Sequence, residues 1–162
     1  MKLELQPKVS VVCFAERQNS QTGEREILLS KRLKHPNYGK VVGVGGKVRF
    51  GETFEEAARR ELHEETGLTG TFEMTGILRK IGHQKNECSG QEIVLDILFI
   101  LFHVTHTSGE LIEKINDQQN IWCKLDEIPN RKDITSTVPL FLKHGLSGTI
   151  ENFEHVVEME GF

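Results

Sequence analysis

The chain has 162 residues, enough to bury one hydrophobic core, and its 20 Lys and Arg against 24 Asp and Glu leave a formal charge of −4. That balance lacks the basic excess of a protein that binds polymeric nucleic acid, so no such partner is expected. The longest apolar run, residues 93–104, is interrupted by Asp96 and too short for a bilayer, and the brief run 9–14 lacks a signal-peptide pattern; no membrane association and a cytoplasmic location are expected.

Residues 9–15 and 26–32 read as two strands, split by the polar linker 17–24 with its Gly23 turn signal. Thr53 with Glu56 makes a capping box and Gly67 stands where a C-terminal stop belongs, so the spacing predicts a helix over 54–66. Residues 72–81 and 92–104 read as strands, the latter apolar on both faces and therefore expected at the centre of a sheet. A short strand over 120–125, a second helix over 135–144 ended by Gly145, and a final strand over 147–155 follow. Strands interleaved with two helices predict an α/β arrangement. With no repeat, low-complexity tract or composition break, residues 1–162 are expected to form a single domain. Cys13, Cys88 and Cys123 are odd in number and widely spaced, which suits cytosolic thiols rather than disulfides or a zinc site.

On a helical wheel, Phe54, Ala57, Ala58 and Leu62 form one apolar stripe, while Glu55, Glu56, Arg59, Arg60, His63 and Thr66 cover the other side. Glu61 and Glu65 fall inside the apolar stripe, with Glu64 at its edge. Three carboxylates thus converge where a structural helix would place Leu or Ala. Buried carboxylates need a neutralising cation, and a hard divalent ion such as Mg²⁺ suits clustered oxygen donors shared with phosphates. An acidic helix that merely solvates a surface would keep its Glu on the polar face, which is already filled. Elsewhere, His103 and His106 point to opposite faces of a strand, His63 is solvated, and Trp122 reads as core packing. Asp96 is left as a polar residue in a buried strand, facing a pocket or paired with a donor.

Gly46, Glu52, Arg60, Glu61, Leu62, Glu64, Glu65, Gly67 and Leu68, within GKVRFGETFEEAARRELHEETGL, match the specified positions of the Nudix box. The segment resembles that loop-helix-loop signature of Nudix hydrolases. The resemblance implies an α/β/α sandwich with a mixed sheet, and cleavage within the pyrophosphate of a nucleoside diphosphate linked to another group. It implies Mg²⁺, with Mn²⁺ as an alternative, held by Glu61, Glu64, Glu65 and the carbonyl of Gly45. The ion would neutralise the polyphosphate, act as a Lewis acid on phosphorus and lower the pKa of the attacking water. Arg60 is then an orienter of catalytic carboxylates and not a ligand, and Glu52 assists from the loop before the helix. Gly45 and Gly46 let backbone approach the phosphates, and Lys31 and Lys47 fall near the expected phosphate path.

The segment IWCKLDEIP, residues 121–129, resembles one in the MutT-type enzymes that sanitise oxidised nucleotides. Counting back from it, Asp117 takes the position of a loop acid that often supplies a base; a solvated loop Asp is the competing reading. Where the animal-type enzymes read the oxidised base with an Asn and a Trp-Pro-Asp-Asp run, this chain has Val42 and Arg131-Lys132-Asp133-Ile134. Asp133 is the one acid retained there, so selectivity for oxidised guanine is expected to be modest. The expected substrate is a small-molecule nucleoside triphosphate, including oxidised purines such as 8-oxo-dGTP, cleaved to monophosphate and pyrophosphate. ADP-ribose or another nucleoside diphosphate derivative is the alternative, and a non-catalytic nucleotide-binding regulator is the alternative of another class.

Overall fold

Side chains alternate along a strand, so β1 (Lys8–Gln18) sends Val11, Cys13 and Ala15 to one face and Val12 and Phe14 to the other. All five are buried, and β1 is covered on both sides. The computed structural model describes residues 6–35, 37–85, 90, 92–146 and 151–152. β1 lies parallel to β6 (Glu92–Ser108), which continues antiparallel to β5 (Thr69–Lys85). On its other edge β1 pairs antiparallel with β4 (Val44–Lys47) and, in its last residues, with β2 (Arg25–Arg32). β2 carries β3 (Val41–Val42) and β8 (Gln118–Lys124), and β8 turns back on β7 (Lys114–Ile115). A short β9 (Glu151–Asn152) runs parallel to β5. The order β7-β8-β2-β1-β6-β5-β9 is a mixed sheet.

The two helices cover opposite faces. From α1 (Phe54–Thr66), Ala57, Ala58 and Leu62 pack with Val11, Cys13, Ile100 and Phe102; from α2 (Thr137–Gly145), Val138 and Leu142 pack with Val12, Phe14, Ile27 and Leu101. This is the expected α/β/α sandwich, and β6 is central as expected, with β1 and β5 on either side.

Several expectations need correction. Phe54 is 42 % exposed although the wheel puts it in the apolar stripe, because the buried face of α1 begins one turn later at Ala57. Of the two readings of Asp96, the paired one holds: it accepts from Arg79 Nε at 2.9 Å and Nη2 at 2.7 Å. The guanidinium holds the Asp96 carboxyl below its usual range. Trp122 packs against the core, yet Arg17 lies over its ring at 4.1 Å, and its Nε1 has no hydrogen-bond partner. Of the final strand only residues 151–152 are described, and Cys88 lies outside the described residues; Cys13 and Cys123 are buried free thiols. Among the described residues no helix is long and apolar enough to cross a membrane.

Candidate active site

Both ends of α1 are pinned by the residues that announce them. Thr53 Oγ1 accepts from the Glu56 N–H at 3.2 Å, Glu56 Oε2 accepts from the Thr53 N–H at 2.8 Å, and Gly67, at φ +74°, donates to the His63 carbonyl at 2.9 Å. Asn120, from β8, adds a clamp that the sequence reading missed. Its Nδ2 donates to the carbonyls of Glu65 and Ile112, both at 2.7 Å.

Held this way, α1 lays its acids along β4. A Cβ built on Gly46 would stand 2.5 Å from the Glu61 carboxyl carbon, and one on Gly45 would meet the Val11 carbonyl oxygen at 2.0 Å. Gly45 is therefore required by close approach of fixed backbone, whereas Gly46 makes room for a side-chain end. The Gly45 N–H donates to Glu65 Oε2 at 3.2 Å. Burial, reinforced by the charge of Glu61, pushes the Glu65 carboxyl up to about 7, against the opposing pull of the Gly45 N–H, Gln118 and Arg32. The same burial and the charges of Glu65 and Glu61 push the Cys13 thiol up beneath them.

Arg60 ties the acids together. Its Nε and Nη2 grip Glu52 at 2.5 and 2.9 Å, Nη1 reaches Glu61 at 2.5 Å and Glu64 at 3.3 Å, and Nη2 also donates to the Lys47 carbonyl at 3.0 Å. Of the two acids at i±4 from Arg60, Glu64 is reached and Glu56 instead serves the cap. The Arg60 grip, with the Arg49 N–H, lowers the Glu52 carboxyl to about 2. Arg49 also approaches Glu64 at 3.5 Å.

Glu61, Glu64 and Glu65 line a concavity of about 430 Å³ with Arg32, Lys34, Gln118 and Asp117. Asp117 follows Asn116, whose φ of +49° makes the β7–β8 turn; its carboxylate is 61 % exposed and 3.3 Å from Lys34 Nζ. Arg32 also lines a neighbouring cleft of about 370 Å³, on the opposite face of the sheet from α1, with Gly45, Gly46, Val42, Phe99 and Lys80. Arg32 and Lys80 escaped the sequence reading; each is one basic residue in a strand, with no spacing signal to mark it. The remaining expected site residues are not gathered here. Asp133 is held by Arg131 at 2.9 and 2.7 Å, which keeps its carboxyl low, with the Lys31 charge adding to the effect. Neither Asp133, Lys31 nor Lys47 lines the cleft or the acid concavity, and Lys47 is exposed.

The donor set fits a hard divalent cation. Two carboxylates share a partly buried surface, and burial with its neighbour's charge raises the pKa of one of them, a cost that a bound cation would relieve. The side chains do not converge into a ready three-ligand cluster among the described residues, since Arg60 draws Glu61 and Glu64 while Glu65 is turned to the Gly45 N–H. Ligation therefore requires side-chain rotation.

The family model described as NUDIX domain matches residues 5–143. The chain belongs to the NUDIX domain family. It is 39 % identical over 103 residues to an oxidized purine nucleoside triphosphate hydrolase of Danio rerio, covering 64 % of this chain and 61 % of that protein. A protein of the same name from Mus musculus is 34 % identical over 105 residues, covering 65 % and 62 %. The chain thus spans about three-fifths of the length of these relatives. The Nudix fold is shared with a MutT protein of Bacillus halodurans, at a TM-score of 0.70 and 25 % identity over 92 % of this chain and 90 % of that one. The Nudix box is accordingly the loop, helix and Gly67 stop that carry Glu52, Arg60, Glu61, Glu64 and Glu65.

Proposed function

We propose that this Nudix domain hydrolyses nucleoside triphosphates to the monophosphate and pyrophosphate, with Mg²⁺ or Mn²⁺ as cofactor. The observation that carries the reading is the junction at Arg32. An acid-lined concavity that suits a cation and phosphates opens beside a partly apolar cleft that suits a base. Glu61, Glu64, Glu65 and the Gly45 carbonyl are the oxygen donors that would hold the cation. The bound ion supplies charge neutralisation and Lewis acidity toward the phosphoryl group.

The chain's own residues do the rest. Arg32 binds the polyphosphate between the two compartments. Arg60 fixes the carboxylates of Glu61 and Glu64 and is itself fixed by Glu52. Asp117, in the same concavity, accepts the proton of the attacking water as its oxygen bonds to phosphorus and the phosphoanhydride bond breaks.

The names of the vertebrate relatives support an oxidised purine such as 8-oxo-dGTP among the substrates. Val42 in the cleft and an Asp133 occupied by Arg131 support acceptance with modest preference. The test is product identification after incubation with dGTP, 8-oxo-dGTP, dATP, ADP-ribose and dinucleotides in Mg²⁺, with a chelator control. Triphosphates should give monophosphate and pyrophosphate only when metal is present. Undiminished hydrolysis in excess chelator overturns the cofactor; cleavage of ADP-ribose alone overturns the substrate class; binding without turnover makes the chain a regulator.

A further inference from the structure

Lys80 lines the cleft among apolar side chains of β6, with Ser10 of β1 on the same face beside Phe99. It lies on β5 directly opposite Ile97 of β6, so the two side chains share a face, and Leu95 and Phe99, two residues either way along β6, share it too. All four line the cleft. The side chain is half-buried, and burial alone lowers the pKa of its amine. Among the described residues no carboxylate pairs with it. The nearby acid–base pairs, Arg79 with Asp96 and Arg131 with Asp133, are complete without it. A desolvated ammonium that lacks an anion retains unmet donor capacity, which a ligand atom in the cleft can satisfy.

The topology decides which end of a ligand Lys80 meets. The sheet runs β4, β1, β6, β5 across the cleft, so Lys80 is three strand spacings, about 14 Å, across the sheet from Gly45 and Gly46, where the acids lie. It is a further three to four residues along the sheet, since Lys80 is level with Lys8 and the glycines with Val11 and Val12. Arg32 already stands at the acid end. Phosphates held there leave Lys80 to the opposite end of the nucleotide. Lysine offers three donors and no acceptor, and the side chains that line this cleft include no carboxylate. A keto oxygen satisfies such a group, whereas an exocyclic amine presents a second donor to it.

Resting on the triphosphate reading above, we infer that Lys80 is a specificity-determining residue that donates to the 6-keto oxygen of a purine, so that hypoxanthine and guanine nucleotides are favoured over adenine nucleotides. Hypoxanthine and adenine isolate the effect, since they differ at the 6-position group and its adjoining ring nitrogen. The experiment measures metal-free binding of IMP and AMP by calorimetry, and kcat/KM for ITP and ATP with Mg²⁺, in the wild type, Lys80→Met and Lys80→Gln. Wild type should favour IMP and ITP by about 10- to 100-fold, the discrimination a hydrogen bond from a charged donor commonly carries. In Lys80→Met the ratio should fall towards one, with the change in KM rather than kcat. Lys80→Gln, whose amide can donate to the keto group or accept from the amine, should also lose most of it, and covers the case in which Lys80→Met fails to fold. An unchanged ratio in a folded variant overturns the inference, as does a wild type that binds IMP and AMP alike. A wild type that hydrolyses no triphosphate yet prefers IMP through Lys80 overturns the reaction and leaves the inference standing.

Discussion

At the scale of single residues, Gly46, the first residue of the Nudix box, and Gly45 just before it do different jobs, and alanine separates them. A Cβ on Gly46 collides with the far end of the Glu61 side chain, which can swing away; a Cβ on Gly45 collides with the Val11 backbone carbonyl, which cannot. Gly46→Ala should therefore fold with a near-normal melting temperature and lose kcat by about 100-fold, the cost of misplacing a reacting group by roughly an ångström. Gly45→Ala should lose about 2–3 kcal/mol of stability in chemical denaturation, because a packed backbone must move. Equal stability losses in the two would refute the distinction. Glu65 adds a pH dependence. Its carboxyl sits near 7 in the fold and at its ordinary 4.5 when unfolded, so the folded chain binds more protons between those values. Without metal, the contribution of this group to stability is full below pH 4.5, declines as pH rises through 7, and levels off above it, a loss of roughly 3 kcal/mol. Urea titrations of Glu65→Gln in chelator should lack that component of the slope; an identical slope would remove Glu65 as its source.

At the scale of elements, the helix of the Nudix box was legible to the residue, because its ends are chemical. The reciprocal bonds of Thr53 and Glu56 and the left-handed Gly67 set limits of 54 and 66, and both hold. Thr53→Ala should cost about 1 kcal/mol, read as a shift of the urea midpoint with an unchanged slope. A shift below the error of the titration would mean the cap is redundant. β3, β4 and β7 were not legible, being two to four residues long with no room for periodicity. β5 and β6 were found but drawn short, since strand pairing carries the hairpin past the apolar stretch into polar residues. The same limit governs the site. Residues carried by the box could be named from spacing, whereas Arg32, Asn120 and Lys80 reach the site from separate strands. Pairing across the sheet makes their positions meaningful, and a one-dimensional pattern does not contain it.

At the scale of the whole molecule, a chain of charge −4 with three carboxylates lining one concavity would repel the anionic polyphosphate proposed as its substrate unless a cation offset that charge. Arg32 and Lys34 offset part of that charge, but Arg60, the nearest guanidinium to the acids, is fully engaged with Glu52, Glu61, Glu64 and a carbonyl. A divalent ion that binds only the folded chain should therefore stabilise it, by about 2.7 kcal/mol at a concentration 100 times its Kd. For a chain of this length that corresponds to a rise in Tm of roughly 5–10 °C. Protons compete for Glu65 below pH 7, so the rise with Mg²⁺ should be larger at pH 8 than at pH 5.5. Glu65→Gln and Glu61→Gln should each lose most of it, and Glu65→Gln should also melt higher than wild type in chelator above pH 7, where the buried charge it removes is no longer masked by a proton. Scanning calorimetry of the three proteins at the two pH values, with Mg²⁺ and with chelator, reads all of these effects together. A Mg²⁺ shift of the same size in wild type and both variants would place the ion elsewhere on the chain.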